Sequence, residues 1–73
     1  METFNLKTSD TFIELNNLLK VLSWVNSGGE AKMNIKEGQV SVNGQVELQV
    51  RKKIRAGDQI KMDNLTCNVQ PAK

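Results

Sequence analysis

The run Val40-Ser41-Val42-Asn43-Gly44-Gln45-Val46 constrains this chain more than any other stretch. Apolar and polar residues alternate on either side of Asn43-Gly44. That dipeptide suits a two-residue hairpin turn, because both turn positions require a positive φ. Val46, Leu48 and Val50 continue the alternation. The spacing predicts two antiparallel strands, each with one face against a core. Two further strand-like runs follow, at 59–62 and 65–69, with turn residues Asp63-Asn64 between them.

Upstream the period changes from two to about 3.6. Phe12, Leu15, Leu19 and Leu22, with Ile13 and Leu18 beside them, form one helical stripe. Thr11 through Glu14 fits a capping box, so a first helix is expected over 12–21. Ser27-Gly28-Gly29-Glu30 offers a second capping box, and Gly38 supplies a left-handed stop. A second helix is therefore expected over 28–37. Ala31 and Ile35 give it a narrow buried edge, and Lys32 and Lys36 share an adjoining face. Phe4 and Leu6 alternate in a short strand ahead of both helices. The expected fold class is α+β: two short helices packed on a small antiparallel sheet of up to five strands. At 73 residues the chain is one small domain.

Composition narrows the chemistry. There is no histidine and only one cysteine. The usual general base near neutral pH is missing, as is the commonest metal ligand. Cys67 lies in a strand-like run and reads as a small buried hydrophobe, not a reactive thiol. No catalytic residue, metal site or cofactor is expected, nor a small-molecule substrate. No apolar run approaches the roughly 18 residues that span a bilayer. The first ten residues lack the basic-then-apolar order of a signal peptide. A cytoplasmic, monomeric, non-membrane protein is expected.

The charge is unevenly spread. The chain carries +2 overall, but residues 20–61 hold eight of its ten basic side chains and four of its eight acidic ones. Four of those cations, Arg51, Lys52, Lys53 and Arg55, fall within five positions. In an extended segment Arg51, Lys53 and Arg55 share one side, while Ile54 anchors the other. Such a strand either guards a sheet edge against aggregation or forms part of a polyanion-binding surface. The start of the second helix is open in the same way: either Ser27 simply caps, the glycines permit a tight entry and Lys32 and Lys36 are solvated, or the segment is an anion site. Its free amides attract anions, and Gly28 and Gly29 leave room for a phosphate. Trp24 reads as a core plug between the helices. With only two phenylalanines besides, the chain does not resemble a sheet that stacks single-stranded bases.

Residues 12–62 resemble the RNA-binding domain named after small-subunit ribosomal protein S-four, and look like its stand-alone bacterial YbcJ-like form. The resemblance rests on the leucine-rich first helix, Ser27, Glu30-Ala31-Lys32, Gly38, Val40-Ser41-Val42-Asn43-Gly44 and Gly57-Asp58. The family commonly has arginine directly after the serine, where this chain has Gly28. The resemblance implies an alpha-L motif: two angled helices with a hairpin beside them, facing structured RNA. Ribosomal or transfer RNA is the expected partner class, with a ribosomal protein or assembly factor as a further partner. The implied RNA-binding residues are Ser27, Gly28, Gly29, Lys32, Lys36, Asn43, Arg51, Lys52, Lys53 and Arg55. The alternative function is a protein–protein adaptor on the same fold that has lost RNA binding.

Overall fold

A computed structural model describes residues 2–72. The chain order is β1 (Glu2–Asn5), β2 (Ile13–Glu14), α1 (Leu15–Val21), α2 (Gly28–Lys36), β3 (Val40–Val42), β4 (Gln45–Val46), β5 (Lys53–Ile54), β6 (Gln59–Met62) and β7 (Leu65–Gln70). Five strands form one sheet in the order β1-β7-β6-β3-β4, and β2 and β5 form a separate two-stranded ribbon.

Alternation builds the sheet. In β6 the residues read exposed, buried, exposed, buried, and β3 and β7 follow the same two-residue period. Register then aligns the buried positions. Val42 lies opposite Ile60, and Ile60 lies opposite Cys67. Cys67 is fully buried in this row. Burial, with Glu2 as a second cause, pushes its thiol pKa up, so the neutral form is favoured. The small-hydrophobe reading therefore holds.

The sheet is mixed, not wholly antiparallel as expected. β1 runs parallel to β7, with Phe4 opposite Val69, and the Leu6 amide continues the pairing to the Gln70 carbonyl at 3.0 Å. The long connection through both helices brings the first strand back beside the last, and parallel pairing needs such a crossover.

Leu15, Leu18 and Leu19 of α1 meet Ala31 and Ile35 of α2 in the core, and all five are fully buried. Truncating one such leucine to alanine costs about 2–5 kcal/mol. Trp24 packs against this cluster as a partly buried residue, and its Nε1–H donates to Glu2 Oε1 at 2.8 Å. It plugs the interhelical turn and ties it to β1.

Two further expectations are corrected. The first helix starts at Leu15, three residues late, and the Thr11 capping box does not form. Its N-cap, Glu14, makes no side-chain capping bond. Residues Ile13 and Glu14 are drawn into pairing with Ile54 and Lys53. The amides of Leu15 and Asn16 then donate to the carbonyls of Lys52 and Val50, at 2.9 and 3.1 Å. A tertiary backbone contact thus satisfies the first amides of the helix, which no side chain caps.

The second correction concerns the strand expected through Val50. Strand β4 stops at Val46, and Val46 and Leu48 stand 59% and 58% exposed. The Lys52 amide closes a turn onto the Gln49 carbonyl at 3.2 Å. That turn presents the Val50 and Lys52 carbonyls to α1, and a straight strand would not.

The helix ends behave alike. Both finish in Schellman motifs, one on Ser23 at φ 61° and one on Gly38 at φ 78°. The Trp24 amide reaches the Leu19 carbonyl at 3.0 Å, and the Gln39 amide reaches that of Asn34 at 3.1 Å. No helix of the described residues is long and apolar enough to cross a membrane.

Candidate functional site

The second helix opens as its sequence requires. Ser27 is extended, and its hydroxyl accepts from the Glu30 amide at 3.2 Å. Ala31 and Ile35 turn into the core, which leaves the faces bearing Lys32 and Lys36 exposed. Gly28, Lys32 and Lys36 are spaced four apart, so they lie on one side of α2.

That side forms one wall of a cleft of about 400 Å³, lined by Asn16, Gly28, Lys32, Lys36, Val50 and Arg51. Three of the six lining residues are cationic and none is acidic. The opposite wall comes from the turn that precedes β5. Its position follows from the hydrogen bonds that fasten Val50 and Lys52 to the start of α1. Two segments some twenty residues apart in sequence thus meet around one depression. The N-terminal end of α2 adds its own positive potential there.

The expected site residues divide into groups. Gly28, Lys32, Lys36 and Arg51 share the cleft. Ser27 and Gly29 are exposed at the same end of α2. A Cβ added to Gly28 would lie 3.8 Å from Lys20 Cδ, so a lysine stem from α1 passes beside this glycine. The remaining residues lie elsewhere. Lys52 is half-buried, and its carbonyl holds α1. The Lys53 ammonium sits 5.1 Å from the centroid of the Phe12 ring. Arg55 is exposed in a turn whose geometry is set by Asp58, which accepts from the Arg55 amide at 2.8 Å.

Asn43 occupies the hairpin turn at φ 53°, followed by Gly44 at φ 85°. Its Nδ2 donates to Asp58 Oδ1 at 3.0 Å, and its Oδ1 accepts from the Gln59 amide at 2.9 Å. These bonds give Asn43 a structural task, clamping the hairpin tip to the 55–58 turn.

Asn16 and Val50 are the cleft residues that sequence reasoning missed, and Asn16 is the polar one. Its Oδ1 is buried and has no hydrogen-bond partner among the described residues. An unsatisfied acceptor is unusual in a native interior. Asn16 and Lys20 stand four apart on α1, and that spacing was the available signal. No group of three or more His, Cys, Asp or Glu among the described residues could hold a metal ion.

Comparison with known proteins gives this geometry a context. Residues 6–70 match the family model described as the S4 domain. The YbcJ proteins of Escherichia coli strain K12 and of Shigella flexneri are each 47% identical over 60 residues. Those alignments cover 82% of this chain and 84% of either relative. The solution structure of E. coli YbcJ, which reveals an alfaL motif involved in RNA-binding, matches with a TM-score of 0.73. That longer alignment is 41% identical and covers 96% of this chain and 87% of the other.

Proposed function

The chain belongs to the S4 domain family, and from that premise we propose that it binds structured RNA by holding phosphates in the cleft between α2 and the turn before β5. The carrying observation is that Lys32, Lys36 and Arg51 converge there without an opposing carboxylate among the lining residues. Arginine forks onto phosphate oxygens, lysine acts as a mobile point charge, and the helix start adds backbone donors. Contacts of this kind position a folded RNA by its shape and backbone and read little of its base edges. Ribosomal or transfer RNA is the proposed source, because both present compact helices with closely spaced phosphates.

The test is affinity for a folded RNA hairpin as salt is varied. If four phosphates are engaged, log K should fall against log salt with a slope of about −3 to −4. The combined variant Lys32→Glu, Lys36→Glu and Arg51→Glu should lose binding while keeping its circular dichroism spectrum. Undiminished affinity in that folded variant refutes the assignment of the cleft.

A second reading has one observation behind it. Val46 and Leu48 are both more than half exposed beside the open edge of β4, a surface suited to a protein partner. An adaptor role predicts a protein captured from nuclease-treated lysate and no salt-dependent RNA affinity.

A further inference from the structure

Phe12 belongs to neither the core nor a helix. Its spacing from Leu15 and Leu19 suggested a place in the buried stripe of α1. The chain at Phe12 is instead non-helical, and the residue is half-buried. It is not among the hydrophobic residues that pack against the core cluster. Its ring has a cation for company, the Lys53 ammonium at 5.1 Å.

The position of this pair is well defined. Ile13, the next residue, pairs with Ile54, and Glu14 pairs with Lys53. Ile54 is fully buried and anchors the ribbon. The ring is therefore held beside the basic segment by backbone pairing on one side and a cation on the other. Lys53 is two residues beyond Arg51, which lines the cleft. Their Cα atoms are at most about 7 Å apart along the chain.

We propose that the Phe12 ring, flanked by Lys53, is a stacking platform for one unpaired RNA base adjoining the phosphates held in the cleft. This rests on the RNA-binding reading above and adds a requirement to it. A base within a duplex offers no free face, so the preferred target carries a bulged, looped or terminal nucleotide next to the bound helix. Every base has a π-face, so the platform tolerates any base identity. On binding, Lys53 gives up its place over the ring to the base and moves to the adjacent phosphate. A cation–π contact of modest strength is exchanged for base stacking and a charge-assisted contact.

The experiment compares two RNA hairpins with the full chain: one fully paired, the other with a single 2-aminopurine bulge. The wild-type chain should bind the bulged hairpin about tenfold more tightly and change the 2-aminopurine fluorescence on binding, a range set by stacking on one aromatic. Phe12→Leu, which keeps an apolar side chain, should bind both hairpins equally and leave the fluorescence unchanged. Phe12→Trp should restore the preference and the signal. Equal wild-type affinity for the two hairpins overturns the platform, as does a preference that survives in Phe12→Leu. Failure of the wild-type chain to bind either hairpin overturns the RNA-binding reading and the platform with it.

Discussion

Asn43 and Asp58 are fifteen residues apart in sequence and joined by a 3.0 Å hydrogen bond from Nδ2 to Oδ1. The same carboxylate accepts from the Arg55 amide through its other oxygen, at 2.8 Å. The Val-Asn-Gly and Gly-Asp signatures thus meet in space, where one holds the other. Asn43→Ala should destabilise the fold by about 2 kcal/mol, because Asp58 and the Gln59 amide each lose a partner and alanine tolerates φ 53° less well than asparagine. Urea unfolding measures this. RNA affinity of the folded variant should remain near that of the wild type, since the Asn43 amide is engaged within the fold.

Gly38 should resist substitution for a backbone reason. At φ 78° it ends α2, and an added Cβ would meet only Val46 Cγ1 at 3.7 Å, an ordinary contact. The penalty of Gly38→Ala is therefore conformational, about 1–2 kcal/mol. A thermal melt should show a lowered midpoint with the same folded spectrum.

Gly28 should behave in the opposite way. It is the first residue of α2, and a Cβ there reaches only the stem of Lys20 at 3.8 Å. Gly28→Arg should fit and add a cation at the mouth of the cleft. The gain in helix propensity at this first position is offset by placing a cation at the positive end of α2, so stability should change by less than about 1 kcal/mol. Affinity for a folded RNA should increase at low salt, and the salt dependence should steepen by close to one phosphate's contribution. Weaker binding in a folded Gly28→Arg chain would mean that the bare helix start is needed for close backbone approach.

Cys67 should make stability sensitive to alkaline pH. Burial raises its folded-state pKa above that of the unfolded chain. A raised pKa means the folded state holds its proton more tightly. The contribution is complete below the unfolded thiol pKa and disappears as pH rises through the folded one. Denaturant midpoints should therefore decline above the ordinary thiol range. Cys67→Ala should remove that alkaline decline, although its cavity lowers stability at neutral pH. Thiol reagents should react slowly with the native chain and rapidly in urea.

The legible parts of the fold were those governed by local rules. Ser27 caps α2 and Gly38 ends it, as residue type and spacing implied. The alternations in β6 and β7 bury the expected side chains. The illegible parts were those in which a distant segment competed for the same backbone. Thr11 and Glu14 had capping chemistry, but pairing with Lys53 and Ile54 claimed that stretch first. Val46, Leu48 and Val50 had a strand's period, yet the demands of α1 on the Val50 and Lys52 carbonyls bent the chain. Of the basic segment 51–55, only Arg51 lines the cleft, and the segment's charge pattern did not single it out.

Sequence alone determined where α2 begins and ends, that the 40–46 stretch forms a hairpin and the 59–62 and 65–69 runs form strands, and that positive charge gathers in the middle of the chain. Each of these depends on residues within a turn or two of one another. Tertiary structure decided which cations share a depression, that Asn16 lies among them, and that Phe12 stands outside the core. Those outcomes depend on hydrogen bonds and packing between residues twenty or more positions apart, and no local pattern encodes such contacts.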